Sequence, residues 1–316
     1  MSINADFFSE KRTNILATRN IIPAYVAANL PVANIGRVDN HGYELSLKWQ
    51  DKILSGKGMY WIAPLVSFNR NKIVFMDEIP PDYSWMQQTG RPVGQYYGLI
   101  YERLYKSSDF PDAKKYGAFL APGDMKFTDL NDDGMIDGND VTAIGYSRYP
   151  EYTFSLNAGI SYKGFDFSML WQGATNVSKQ YSALYRIAFT DSYNRGLMYY
   201  AYHDRFVSEE LTPNATYPRL AMSSRSWNFN NTLSNSYWVK DATYARLKNV
   251  ELGYTFNPAV LQKIGISKTR VYVNGTNLLT FDKLHYFDPE EDVGQGSSRG
   301  VYPNLAIVNF GINLNF

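Results

Sequence analysis

One segment of the chain has the residue types and spacing of a metal-binding loop. Residues 129–140 read D-L-N-D-D-G-M-I-D-G-N-D, which follows the EF-hand-type pattern D-x-[DN]-x-[DN]-G with an acid at the twelfth place. Asp129, Asn131 and Asp133 hold the first, third and fifth places. Gly134 holds the sixth, where the chain must turn sharply. Met135 would offer its backbone carbonyl, Asp137 an oxygen directly or through water, and Asp140 closes the loop. Calcium takes about six to eight hard oxygen ligands, and these residues can supply them. The closing acid is Asp rather than Glu, so its reach is shorter. Ile136 is expected to anchor the loop on its surroundings. The expectation is one structural Ca2+ that stiffens a long loop. The competing account is a metal-free turn, since Asn, Asp and Gly favour turns without any ion.

Other chemistry is thin, and no enzyme is expected. Gly296-Ser297-Ser298-Arg299-Gly300 matches G-x-S-x-G, but that motif needs a strand-to-helix elbow and here precedes a final strand. His41, His203 and His285 lack metal-ligand spacing, and the chain has no cysteine. Thiol chemistry, disulfides and Cys-based zinc sites are therefore excluded. With 31 basic and 30 acidic residues there is no basic surplus for nucleic acid. Hydrophobic residues are 45%, which excludes a disordered chain. Aromatic residues reach 16%, with 26 Tyr, a composition suited to lining interfaces or gripping ligands.

The elements that must carry the loop are strands. Residues 152–162 alternate strictly: Tyr152, Phe154, Leu156, Ala158, Ile160 and Tyr162 share one face, while Thr153, Ser155, Asn157, Gly159 and Ser161 share the other. A strand puts successive side chains on opposite faces. The length fits a tilted membrane-crossing strand of ~9–11 residues, and tyrosines at both ends fit an aromatic girdle. The same alternation recurs at 2–12, 43–49, 165–173 and 307–316, and less cleanly at 59–68, 248–256 and 269–280. Pro64 weakens the strand at 59–68, and a slip of the apolar phase near Leu247 predicts a bulge. These eight strands are separated alternately by short gaps (50–58, 163–164, 257–268) and long ones (13–42, 69–151, 174–247, 281–306). Short turns on one side and long loops on the other is the outer-membrane barrel pattern. It places the 69–151 loop, with its calcium-type segment 129–140, outside the cell. The gap 257–268 has room for a short helix. The first 16 residues do not read as a signal peptide, and no run of 18 apolar residues exists. A soluble β-sandwich also alternates, but its exposed faces are usually charged or Thr-rich rather than Ser, Asn and Gly.

The sequence resembles the C-terminal part of the SusC/RagA family of TonB-dependent outer-membrane transporters of Bacteroidetes, over nearly all of 1–316. The resemblance rests on ordered blocks: Ala5-Asp6-Phe7-Phe8; Asn34-Ile35-Gly36 through Gly42-Tyr43-Glu44; Gly90-Arg91-Pro92-Val93-Gly94-Gln95; Gly123-Asp124 with Asp129-Leu130-Asn131; Tyr217-Pro218-Arg219-Leu220; Arg246-Leu247-Lys248-Asn249; Asn274-Gly275-Thr276-Asn277-Leu278; and Asp288-Pro289-Glu290. It implies an all-β, antiparallel transmembrane barrel of about 22 strands, of which these would be the last eight. It also implies a SusD-like surface lipoprotein as partner, energy from TonB–ExbB–ExbD through a region absent here, and a glycan or peptide substrate. No plug domain is present, so the chain is expected to be a fragment or truncated product of a longer transporter. The alternatives left open are a self-contained eight-stranded barrel with a structural or adhesive role, and a secreted calcium-stabilised β-protein that binds glycans.

Overall fold

Alternation along the chain becomes one large antiparallel sheet in the computed structural model. The structure describes residues 1–21, 31–110, 120–181, 186, 188, 198–220, 229–257, 266–284, 287–291 and 302–315. Long strands β1 (Ser2–Ala17), β2 (Ala33–Ile53) and β3 (Gly58–Phe75) come first. The short strands β4 (Gln95–Gly98), β5 (Tyr101–Leu104), β6 (Met125–Phe127) and β7 (Thr142–Ser147) follow within the first folded loop. Next come β8 (Tyr152–Tyr162) and β9 (Phe165–Thr175), then the short β10 (Ser178–Gln180) and β11 (Val239–Asp241), and finally β12 (Tyr244–Thr255), β13 (Lys268–Asp282) and β14 (Ile307–Asn315). Among the described residues the large sheet runs β1-β2-β3-β8-β9-β12-β13-β14, with β1 and β14 at its edges. Every one of the eight alternating segments is a strand of it. The expected helix within 257–268 falls largely outside the described residues, as do the 296–300 motif, His285 and Phe316.

Register makes the two faces continuous across strands. Phe7 pairs with Tyr43, Tyr43 with Phe68 and Phe68 with Tyr152, and their rings follow one another at 6.3, 5.5 and 4.7 Å. At the other end, Phe165 lies 4.5 Å from Tyr254. Strand β8 begins and ends on a tyrosine and has 11 residues. At ~3.3 Å per residue and a tilt of ~40°, its two rings lie ~25 Å apart, the height of an outer-membrane apolar band. The face between the ring rows is apolar: Leu45, Ile62, Ile160, Leu252, Phe310 and Ile312 stand exposed there, because their solvent is hydrocarbon rather than protein.

Local chemistry explains the irregularities. The β12 ladders slip between Leu247 and Asn249 on both sides, the bulge expected from the apolar phase. Pro64 sits opposite Leu156 of β8, while on the β2 side the ladder skips from Ser46–Leu65 to Trp49–Ile62, as a residue without an N–H requires. Gly42 stands under the Phe8 ring, and a Cβ there would lie 2.0 Å from the Phe68 carbonyl. Strands β2 and β3 have 21 and 18 residues, far longer than 43–49 and 59–68. Above the outer ring row apolar residues such as Val38, Ile73, Val74 and Phe75 do not keep to one face, so alternation has little to mark there. Replacing Leu156 on the lipid face by Arg should cost about 2–4 kcal/mol, whereas Leu314→Arg near the lower rim should cost about 0–1. Denaturant titrations of the intact protein folded in lipid vesicles would show this depth dependence.

Candidate functional site

The long loops fold on their own core. Leu99, Met125 and Phe127 from the first loop, Tyr181, Tyr200, Tyr217 and Trp238 from the second, and Leu284 from the third form one buried cluster. Trp238 is 1% exposed and its indole donates to the Asn231 carbonyl at 2.8 Å. Tyr200 meets Tyr217 edge-on at 5.6 Å, and Tyr217 meets Trp238 likewise. The rings of Tyr181, Tyr200, Tyr217 and Trp238 are therefore packing. Tyr199 and Tyr202 are exposed, and Tyr83 stacks on Trp85 at 4.5 Å. Of the others, Tyr185, Tyr193 and Trp227 lie outside the described residues.

The calcium-type segment joins β6 to β7. Its acids hold the chain's own amides. Asp129 Oδ2 accepts from Gly134 N at 2.8 Å, Asp133 Oδ1 from Met135 N at 2.8 Å and Asp137 Oδ1 from Asn139 N at 2.7 Å. Asp140 is fully buried and accepts from Leu130 N at 2.7 Å and Asp137 N at 2.9 Å. Asn131 Nδ2 donates to Asp133 Oδ2 at 2.9 Å. Gly134 has φ +80° and Asp132 φ 56°, so the turn is as sharp as the spacing requires. Ile136 packs on the loop core, as expected. One oxygen has no use inside the chain: Asp129 Oδ1 is buried without a hydrogen-bond partner. Among the described residues no three His, Cys, Asp or Glu side chains converge on one point as a ready metal cluster.

The wall of the sheet opposite the lipid face is polar and charged. Arg270 on β13 donates to Glu251 of β12 at 2.6 Å and to Asp166 of β9 through both Nε and Nη2. Charged groups at membrane depth face away from hydrocarbon because exposure to it is costly. Higher up, Arg246 is 4% exposed at its side chain. It donates to Thr280 at 2.9 Å, to Glu290 at 2.6 Å and to Asp288 at 2.6 Å. Lys248 adds a second contact to Glu290 at 2.6 Å. Asn304 donates through its backbone N to Asp288 and through its side chain to Glu290. The third loop is thus tied by an ionic network to β12, whose Arg246 also bonds β13 through Thr280. Burial alone would raise the Asp288 carboxyl, but donors from Arg246 and from the Glu290 and Asn304 backbones outweigh it and hold it below the usual range. Neighbouring Glu291 is pushed up by burial and by the Asp288 charge. Both partners of this network stand in the sequence as separate blocks, and nothing local to either joins them. Two basic residues at alternate positions on a strand's polar face were the available signal.

A sheet with one apolar face bounded by ring rows, one charged face and long folded loops at one end is a wall segment of an outer-membrane β-barrel. No family model matches the chain. TonB-dependent receptor P3 of Formosa agariphila is 26% identical over all of this chain, and TonB-dependent receptor P26 of the same organism is 29% identical over 97% of it. The chain spans about a third of the length of these curated relatives, 32% in each case. Solved structures of the RagAB peptide importer in its open-open state and of the RagAB peptide transporter superpose with TM-score 0.70 over 99% of the chain, at 18% and 19% identity, again covering about a third of the neighbour. The chain is similar over nearly its whole length to proteins named TonB-dependent receptors and has the fold of the corresponding third of the RagAB structures; its location is the Gram-negative outer membrane.

Removing the Arg246 side chain leaves the Asp288 carboxylate, 5% exposed, without its main donor, while Glu290 keeps Lys248. Arg246→Ala should therefore destabilise by about 3–5 kcal/mol. The depressed Asp288 pKa adds a pH signature. Its contribution is complete above the ordinary carboxylate pKa and is lost as pH falls below about 4 through the folded value. Unfolding midpoints measured from pH 7 to 3 should fall in the native receptor, and this acid-dependent part should shrink in Arg246→Ala.

Proposed function

We propose that the intact receptor is a TonB-coupled importer of oligosaccharides or peptides, with a SusD-like lipoprotein over its mouth and TonB–ExbB–ExbD as its source of energy. In this reading the chain supplies part of the barrel wall and of the outer mouth. The observation that carries it is the alignment of 97–100% of the chain with two proteins named TonB-dependent receptors. The fold shared with a peptide importer and the polar, charged inner wall agree with it. Deleting the receptor gene should abolish growth of the source bacterium on one oligosaccharide or peptide class while leaving growth on monomers intact. Deleting tonB or the gene for the partner lipoprotein should reproduce the defect. Unchanged growth and uptake on every polymer tested would remove the proposal.

Calcium belongs to the same proposal as a structural ion. Asp129, Asn131 and Asp133 would hold it through side-chain oxygens, Met135 through its carbonyl, and Asp137 and Asp140 would complete the set. The orphaned Asp129 Oδ1 and the sharp turn at Gly134 support this. Bound calcium would offset the mutual repulsion of four carboxylates in one turn and stiffen the β6–β7 connection. That connection also receives the Trp85 indole at the Asn139 carbonyl, 2.8 Å. Terbium luminescence on the purified receptor should report a site that calcium displaces and that Asp129→Ala with Asp133→Ala abolishes. Undiminished terbium binding in the double variant would sink the assignment.

A further inference from the structure

The lipid-facing side of β1, β2 and β3 does not stop at the outer ring row. Register carries it upward through Ser9, His41 and Arg70 and then through Lys11, Asp39 and Lys72; past a register shift between Val38 and Arg37, alternation along β2 keeps Arg37, opposite Phe75, on the same side. Residues of the opposite parity (Glu10, Arg12, Asn40, Asn69 and Asn71) line a separate cavity with Val93 and Tyr149. The basic residues therefore stand on the outside of the wall. Arg70 sits 5.5 Å above the Phe68 ring and pairs with Glu151 at 2.7 Å. Arg37 lies 5.4 Å from the Phe75 ring. Lys11, Arg37 and Lys72 are exposed, and none of the three forms an ion pair among the described residues. Asp39 lies between the two lysines in register and Glu151 offsets Arg70, so the patch keeps a surplus of positive charge.

Height identifies the chemistry. Four residues separate Phe68 from Lys72, which at ~3.3 Å each and ~40° of tilt is ~10 Å above the ring row. Acyl chains end near that row, and headgroups begin directly above it. The geometry points to a binding site for a phosphorylated glycolipid of the outer leaflet. Its acyl chains lie on Leu45 and Val66 and its sugar rises past Tyr43 and His41. Its phosphates sit among Lys11, Lys72 and Arg37. Two ammonium groups and a guanidinium suit phosphate, for which Arg offers a forked donor pair and Lys a compact charge. A transported solute does not reach this face, because the wall separates it from the lumen. A neutral lipid would leave the positive charge in excess of Asp39 without counter-charge. The inference depends on the outer-membrane location and not on the transport proposal, so either can fail alone.

The experiment uses the whole receptor purified from outer membranes in mild detergent. Native mass spectrometry should find phosphorylated glycolipid retained on the wild-type protein. Retention should fall about tenfold or more in the triple variant Lys11→Glu, Arg37→Glu, Lys72→Glu, each reversal weakening attraction to an anionic surface. Arg12→Glu, on the inner side of β1, should retain wild-type amounts. A second measurement needs no variant. Wild-type receptor reconstituted with an equimolar mixture of bisphosphorylated and enzymatically dephosphorylated glycolipid should select the phosphorylated form by a similar factor. Equal retention by the triple variant, or no selection between the two glycolipids, would overturn the site. Preferential retention of a different, uncharged lipid would overturn it as well.

Discussion

A peptide N–H or C=O in hydrocarbon has no water to bond, and everything else in this chain follows from that constraint. Each membrane-level strand must be paired on both sides. Pairing sets the register, and register lines up alternate side chains into one face for lipid and one for the interior. The exposed Leu, Ile and Phe on one side and the Asp166–Arg270–Glu251 contacts on the other are two consequences of the same ladder. So is the need of edge strands β1 and β14 for further neighbours. A wall of this kind acts as part of a larger barrel, in agreement with relatives about three times as long.

Above the membrane the constraint relaxes, since water can satisfy the backbone, and a different physics takes over. The long loops are ordered by a core of their own, centred on Trp238, Met125 and Tyr217. They are joined to the wall by charge. Arg246 and Lys248 extend from β12 to Asp288 and Glu290 of the third loop. A buried network of this kind costs desolvation, which its matched geometry must offset. It makes the loop's position specific instead of merely favourable. In a transporter the outer mouth would then be a shaped surface fastened to the barrel, with the β6–β7 turn as one of its stiff corners.

The eight strands, their faces, the bulge at Leu247 and the short and long connections were all legible in the sequence. Alternation is a local property, and lipid on one face sharpens it. The sharp turn at Gly134 and the packing of Ile136 were legible for the same reason: the spacing of a twelve-residue loop is local. Boundaries were not legible where the lipid ends. The upper parts of β2 and β3 have polar residues on both sides, so period two disappears although pairing continues.

What tertiary structure alone decided is which distant residues meet. Arg246 and Asp288 are 42 positions apart, and no pattern around either names the other. The loop rings are alike in sequence, yet folding buries Tyr181, Tyr200 and Tyr217 and leaves Tyr199 and Tyr202 exposed. Lys11, Lys72 and Arg37 come from three strands and become one patch only through register. The sequence by itself determined the secondary structure and its two faces, because backbone geometry repeats every two residues. Only the folded chain decided the partners across strands and loops, because such contacts depend on register and loop closure, and neither is encoded within a single local window.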